Sequence, residues 1–492
     1  MKKSFAFLIS FLFASFLVNA QNWLTTGNTG LNSSNFLGNK DAVPLTLKVR
    51  NWRSGFIDFD SAKANTSLGY RALLAGAGNQ NASLGYKSLA MNTTGSWNTA
   101  FGFQALNKNT TGYSNAANGK EALFSNTTGF ANVGIGNVAI FSNTTGKNNT
   151  ANGYKSMYFN TTGSSNVAIG TSALYRNTIL SNTVAIGDSA LYNNGVGAVA
   201  GSADGTGNVA LGSKVLYLNT TGTRNTASGY RALSSNSVGS FNTAHGYNSL
   251  SGNTTGEANT AVGNYALPSN TTGYNNTATG SAALFSTTTG NYNTAGGGAS
   301  LVNNTTGSYN TANGNSALSN NTTGSYNTAL GNNTYVSESN LSNATALGYY
   351  AYVDASNKVR VGNLAVTSIG GQVGWTNFSD GRIKNNIREN VPGLAFVNLL
   401  KPVTYHFDME KQNALMGRVD TSRYEGKNDI EKIAFTGFVA QAVEDAAKKI
   451  GYDFSGVDKT GKIMGLRYAE FVVPLVKRCR NWTPGMQFNK KR

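Results

Sequence analysis

The 492-residue sequence contains one cysteine, six prolines and only 12% charged residues, and each of these shortages excludes a class of structure. A lone cysteine, Cys479, can form neither an internal disulfide nor a structural zinc site. Six prolines are too few for collagen, although 58 residues are glycine. Because 40% of the residues are hydrophobic, charge-driven disorder is excluded as well. Stability must therefore come from repetition or from assembly.

The few charges are unevenly distributed along the chain. There are 39 Lys and Arg and 22 Asp and Glu, which give a formal net charge of +17. Residues 371–492 hold 20 of the basic and 13 of the acidic residues, so the charged last quarter differs from the charge-poor remainder. The basic excess is thinly spread elsewhere, and we therefore expect no nucleic acid partner.

Residues 1–20 have the pattern of a secretory signal peptide. Lys2 and Lys3 precede an apolar stretch, and the small residues up to Ala20 suit signal cleavage. The apolar stretch is too short to span a bilayer, and no later segment is long and apolar enough to do so. We expect an exported chain, secreted or at the cell surface, that begins near Gln21.

An internal repeat of 17 residues dominates the sequence. Pentads related to "NTAFG" recur seventeen times with one irregular stretch at 193–207, and their last residues are Gly69, Gly85, Gly102, Gly119, Gly136, Gly153, Gly170, Gly187, Gly212, Gly229, Gly246, Gly263, Gly280, Gly297, Gly314, Gly331 and Gly348. The unit reads approximately N-T-A-x-G-x-x-A-L-x-x-N-T-T-G-x-x. The pentad predicts a short strand buried on one side, the "AL" step supplies leucines to a core, and "NTTG" predicts a turn.

So short a unit cannot bury a core alone, and it is too rich in Gly and Asn for helical repeats. We therefore predict a mostly β fold, with a β-solenoid or β-roll over residues 65–350 preceded by a small β cap module over 21–64. At about 4.8 Å per coil, the rod would be on the order of 80 Å long. The pentads, such as those at 166–170 and 208–212, resemble the head repeats of trimeric autotransporter adhesins, and this resemblance implies three chains side by side.

Other features of the repeats leave alternatives open. Stacked threonines could bind ice or a polysaccharide lattice, or simply hydrogen-bond within the ladder: Thr254, Thr271, Thr288, Thr305 and Thr322. Sequons such as those at Asn92, Asn126 and Asn160 could accept glycans or could recur only because the turn recurs. Isolated acidic residues do not suit calcium binding or a processive glycan enzyme, and we expect neither a metal nor a cofactor.

After a connector over 351–374, residues 375–477 have globular patterning. We predict a strand in "RIKNNI", a short helix in "PGLAFVNLL", a strand in "VTYHF", an amphipathic helix in "GFVAQAVEDAAKKIG" and a last helix bent at Pro474. These elements predict a small α+β domain. Residues 478–492 then form a divergent basic tail.

The blocks "WTNFSDGRIKNNIRENVPGLAFVNLLKPVTYHFD", "GFVAQAVEDAA" and "GLRYAEFVVPLV" resemble the endosialidase-type intramolecular chaperone, a self-cleaving serine peptidase domain. The resemblance implies that this domain trimerises the preceding fibre and then cuts itself off at Phe378–Ser379. Ser379 would be the nucleophile and Lys384 the general base, with Asp380 and Arg382 in support. A serine hydroxyl needs such a base, and a nearby cation or burial disfavours the charge of a lysine.

Two functions compete on this basis. The first is a homotrimeric, exported adhesin or structural fibre that is cleaved once at Ser379, acts on no external substrate, and has a host-surface, glycan or matrix ligand. The second is a monomeric solenoid that binds a repetitive lattice through its threonine rows.

Overall fold

The structure, a computed structural model, describes residues 41–75, 78–199, 201–202, 204–417 and 426–482. The strands are β1 Leu45–Val49, β2 Trp52–Ile57, β3 Thr66–Leu68, β4 Ala82–Leu84, β5 Thr99–Phe101, β6 Ala116–Asn118, β7 Val133–Ile135, β8 Thr150–Asn152, β9 Val167–Ile169, β10 Val184–Ile186, β11 Val209–Leu211, β12 Thr226–Ser228, β13 Thr243–His245, β14 Thr260–Val262, β15 Thr277–Thr279, β16 Thr294–Gly296, β17 Thr311–Asn313, β18 Thr328–Leu330, β19 Tyr335–Val336, β20 Thr345–Leu347, β21 Tyr352–Val353, β22 Val359–Val361, β23 Val403–Tyr405, β24 Phe435–Gly437, β25 Val457–Asp458 and β26 Gly465–Leu466. The helices are α1 Leu394–Val397, α2 Met409–Met416, α3 Ala440–Lys449 and α4 Val472–Trp482, and 3-10 turns span Gly381–Ile383, Asp429–Lys432 and Tyr468–Phe471.

The repeats form the predicted β-solenoid, in which each pentad contributes one parallel strand. Strands β3 to β18, then β20 and β22, pair in sequence order, and Thr260 for example lies opposite Thr277. The central residue of each repeat strand is buried while its neighbours face outwards, as alternation along a strand requires. The fold is therefore mostly β, as the repeat predicts.

The core of the solenoid consists of two stacked rows of apolar side chains. One row is the central alanine of the strands and the other is the leucine of the "AL" step, as in Ala261 and Leu267, both fully buried. The leucines adopt a left-handed backbone, with φ 52° at Leu267. The strand-ending glycine is also required, because a Cβ on Gly263, where φ is 137°, would lie 2.6 Å from the Gly280 carbonyl oxygen.

Two rows of buried asparagines run the length of the rod. In the turn row, the Asn253 amide donates to Asn236 Oδ1 at 2.7 Å and to the Gly256 carbonyl at 2.9 Å. In the strand row, the Asn276 amide donates to Asn259 Oδ1 at 3.2 Å and to the Gly290 carbonyl at 2.8 Å. These amides hydrogen-bond most rungs to their neighbours inside the core, where an unpaired amide would be costly.

The irregular stretch at 193–207 is looped out of the stack without interrupting it. Val184 pairs directly with Val209, although the neighbouring repeats are spaced by 17 residues. Asn194 bridges the insertion by accepting from the Asn219 amide at 2.8 Å across a separation of 25 residues, although Asn177 Oδ1 on the preceding rung has no partner. The stack of rungs therefore tolerates an insertion when an asparagine beyond it, here Asn219, again aligns with the asparagine row.

The two ends of the solenoid differ from its middle. At the start, β1 and β2 form an antiparallel hairpin that pairs with β3 through β2, so the described part of the N-terminal module is β structure. At the other end, β19 and β21 add a second short parallel sheet, and β22 extends the main sheet to Val361. Arg360 occupies the central position of β22, opposite Ala346.

The C-terminal unit contains helices and two-stranded sheets. The predicted short helix, the "VTYHF" strand and the amphipathic helix correspond to α1, β23 and α3, and Gly451 follows α3 with φ 64°. The core of this unit is a cluster of buried side chains: Phe396, Val443, Ala446, Ala447, Phe454 and Phe471.

One of the predictions for this unit was wrong. "RIKNNI" contains no strand, because Asp380 starts a 3-10 turn at Gly381–Ile383 and the following residues are exposed. The last helix, α4, begins at Val472 after a 3-10 turn, which places Pro474 in the first helical turn, where its missing N–H is tolerated. Helix α2 was not predicted, although Asp408 caps its start and Gly417 ends it.

The signal segment 1–20, the first part of the N-terminal module up to residue 40, and residues 483–492 of the tail lie outside the described residues. Within the part that is described, no helix has both the length and the hydrophobicity needed to cross a membrane.

The asparagine rows generate a first prediction. Asn253→Ala removes both donated bonds and the bond accepted from the Asn270 amide at 2.7 Å. We expect the free energy of unfolding to fall by roughly 2–4 kcal/mol, because buried partners lose their hydrogen bonds. Thr255→Ala, at an exposed position in the same turn, is the control and should change little. Denaturant unfolding followed by circular dichroism measures both, and equal losses would contradict the role of the row.

Candidate active site

Ser379 lies on a long exposed segment between the solenoid and the C-terminal core. Residues 366–390 are almost entirely solvent-accessible and, apart from the 3-10 turn, form no helix or strand. The segment nevertheless carries large apolar side chains, and those of Trp375 and Phe378 are 91% and 94% exposed. Others are Ile369, Val373, Ile383 and Ile387. Monomeric soluble proteins rarely expose so many large apolar side chains on one segment.

Asp380 shapes the turn that follows Ser379. Its carboxylate accepts from the Arg382 backbone N–H at 2.9 Å and so caps the 3-10 turn. The same carboxylate forms a bidentate pair with the Arg382 guanidinium, with Nη2–Oδ2 at 2.6 Å and Nε–Oδ2 at 3.0 Å. Hydrogen bonds from Arg382 lower the pKa of Asp380, and the carboxylate in turn raises the pKa of Arg382. Arg382 is therefore directed at Asp380.

The turn brings Lys384 back onto Ser379. The Lys384 Nζ donates to Ser379 Oγ at 2.6 Å, so the predicted nucleophile and base are in direct contact. The carbonyl of Phe378 belongs to the peptide bond that Ser379 itself forms, so the hydroxyl and the predicted scissile bond are adjacent without a binding cleft. Both members of the dyad are exposed. Burial of the lysine, which would favour its neutral form, requires another surface.

The threonines and sequon asparagines noted in the repeats belong to the ladder itself. The predicted threonine row is half-buried, and its hydroxyls donate to the next rung, as from Thr254 to the Thr271 carbonyl at 2.9 Å. The sequon residues Asn92, Asn126 and Asn160 are fully buried, which agrees with recurrence of the turn and not with glycan attachment to the folded chain. Among the described residues, no three metal-ligating side chains cluster.

Residues 379–452 match the family model described as "Chaperone of endosialidase". The match begins at Ser379 and confirms the resemblance predicted for the C-terminal region. The chain thus consists of a β-solenoid followed by a C-terminal region that is similar to this family. A search of curated proteins found no match to the chain.

The Asp380–Arg382 pair generates a second prediction. Because Arg382 lowers the pKa of Asp380, the charged turn should be intact above the ordinary aspartate pKa and should be lost only as the pH falls below it. In Arg382→Ala the Asp380 pKa should rise towards about 3.9. Titration of 13C-labelled aspartate carboxyls in uncleavable Ser379→Ala protein measures the shift. Arg388→Ala, further along the exposed segment, is the control; an identical Asp380 titration in both variants would contradict the pairing.

Proposed function

We propose that this protein is an exported, fibre-like trimer whose C-terminal chaperone domain assembles the solenoid and then cuts the Phe378–Ser379 bond once. The observation that carries the proposal is the 2.6 Å contact between Lys384 Nζ and Ser379 Oγ at the first residue of the family match. The pattern of residues 1–20 supports export, and the long repetitive rod suits adhesion or surface display.

The proposed reaction begins with a neutral Lys384, which takes the proton of Ser379 Oγ. The oxygen attacks the Phe378 carbonyl carbon, and the peptide nitrogen of Ser379 gains a proton as its bond to that carbon breaks. The result is an ester between Phe378 and Ser379 Oγ. Water then hydrolyses the ester, leaving a carboxylate on Phe378 and the free hydroxyl and amino group on Ser379. No external substrate takes part.

The exposure of the dyad connects cleavage to assembly. Lys384 Nζ contacts Ser379 Oγ in the single chain, where both residues are exposed to water. The apolar side chains around the dyad would be covered when copies associate, and the lower dielectric would favour neutral lysine. Helix α4 also exposes Val472, Val473 and Val476, which gives the chaperone domain a further surface for association. Cleavage would then follow trimer formation.

The solenoid has an apolar surface of its own, which we call the outer stripe. It consists of large apolar residues at the third strand position, exposed in the single chain: Leu68, Leu84, Phe101, Ile135, Ile169, Ile186, Leu211 and Leu330. Neighbouring strands are about 4.8 Å apart. Polar residues such as Asn118, Asn152 and Ser228 occupy the third position on some of the strands between the stripe residues. A second solenoid of the same sequence has the same distance between its rungs. The partners that we propose for the outer stripe are therefore other copies of this chain.

The cleavage proposal predicts a serine- and lysine-dependent product. Purified wild type should yield a fragment that ends at Phe378 and another that begins at Ser379, whereas Ser379→Ala should remain uncut. Lys384→Met should slow cleavage at least about 100-fold, because the general base is lost. Lys401→Met removes an exposed lysine elsewhere in the same domain and should cleave normally.

Intact-mass analysis over time measures these products. An uncut wild type, or a cut at the same bond in Ser379→Ala, would contradict the serine mechanism. A stable single chain that stays full length and binds ice or a polysaccharide would instead support the lattice-binding alternative.

The assembly proposal predicts a mass of three chains for the wild-type protein. Replacing both Ile169 and Ile186 with Glu places like charges in the proposed interface, which should weaken association by more than about 100-fold. Thr145→Glu with Thr162→Glu, at exposed positions off the stripe, is the matched control. Light scattering over a concentration series measures the mass. A single-chain mass at every concentration, or an unchanged mass in the stripe variant, would overturn the interface.

A further inference from the structure

We propose that a shielded ion-pair cluster docks the chaperone domain on the last rungs of the solenoid and keeps it bound after the Phe378–Ser379 bond is cut. Retention after cleavage rests on the proposed function, whereas docking is a property of the uncut chain. The partner that occupies the end of the solenoid is the chaperone domain of the same chain.

The centre of the cluster is Lys358, which lies between two carboxylates from different parts of the chain. Its Nζ is 3.7 Å from Asp354 in the solenoid and 3.3 Å from Asp458 in the chaperone domain. The side chains of Lys358 and Asp354 are only 10% and 6% exposed. Because the cluster is shielded from water, its pairs are screened less than surface pairs are.

Arg360 completes the charge balance. Its Nη2 donates to Asp354 Oδ1 at 3.2 Å, so two cations face two carboxylates. The Thr460 hydroxyl and backbone N–H, together with Lys358, lower the pKa of Asp458, although burial opposes them. The chaperone carboxylate that Lys358 contacts therefore stays ionised well into the acid range.

The surfaces that carry these charges are specific to the end of the rod. Asp354 follows β21 in the second short sheet, and Asp458 ends β25, which pairs with β26. Gly461 packs so closely on the Asp354 carboxylate that a Cβ there would collide with it. A more exposed pair, Lys462–Glu338 at 3.2 Å, joins the same two regions. Two cross-domain ion pairs and one close packing contact thus converge on one end of the solenoid.

This geometry separates cleavage from release. The backbone between Gly362 and Ser379 forms no strand or helix and is largely exposed from Thr367 onwards, so it tethers the two parts without docking them. Cutting it removes the tether but touches none of the ion pairs. The cleaved chaperone domain should consequently leave only when the cluster is disrupted.

The test compares Asp458→Lys, which reverses the chaperone charge facing Lys358, with Asp429→Lys. Asp429 is an exposed acid of the same domain that pairs with Lys432, so the control makes the same charge change outside the cluster. After cleavage, the fragments 21–378 and 379–492 should co-elute in size-exclusion chromatography for wild type and control. For Asp458→Lys we expect association weakened at least about tenfold, because two cations would then face each other.

A second arm uses the Ser379→Ala background and does not depend on cleavage. Hydrogen exchange should show protection of residues 351–362 and 457–466 that Asp458→Lys reduces on both sides, while the core helix α3 stays protected and shows that the domain is folded. If wild type is not cut yet this protection is present, docking stands and the cleavage proposal fails. Docking is overturned if the wild-type protein is cut, its two fragments separate at once, and the hydrogen-exchange protection is absent.

Discussion

The interaction on which this fold depends is the axial hydrogen bond between buried asparagine side chains of successive rungs. Most amides in the turn row bond both the rung before them and a carbonyl of their own turn, as Asn253 does with Asn236 and Gly256. A shift of one residue would leave these groups buried and unpaired, so the ladder fixes the period of the repeat. It also explains why the insertion at 193–207 is accepted, since Asn194 restores the row. Proteins with a core this thin, built from one alanine and one leucine per rung, need such a constraint because apolar burial alone would not set the register.

The repeat shows how far sequence patterns lead and where they stop. The strand, the core leucine and the turn follow from the spacing of small, apolar and turn-forming residues, and the structure contains each of them. The left-handed backbone of the leucines, such as Leu267, does not follow, because leucine by itself avoids that conformation. It is maintained by the neighbouring rung, whose Ala283 carbonyl accepts the Leu267 N–H at 2.9 Å. Local preference is overruled here by stacking, which a single repeat cannot reveal.

The C-terminal region illustrates the opposite case. A motif singled out two residues that lie in contact, whereas the secondary structure predicted around them was wrong. Ser379 and Lys384 were predicted from the resemblance and lie in contact, but the strand predicted in "RIKNNI" is a capped turn followed by exposed chain. Alternation of apolar and polar residues predicts a strand only where a partner strand exists, and the described chain provides none for this segment. The side chains of Ile383 and Ile387 are exposed in the single chain, and the proposed association of copies would cover them.

The chemistry of the solenoid's last rung explains why charge, and not apolar contact, would be used to hold the chaperone domain. In the rungs before it the central strand position is a buried small residue, usually alanine, whereas β22 has Arg360, which pairs with Asp354. A charge at this position also discourages further strand pairing at an open sheet edge. If the domain were held by an apolar face, its departure would expose that face to water and to other chains. An end closed by Arg360 and Lys358 can instead be hydrated when its partner leaves, so the rod remains soluble with or without the domain that assembled it.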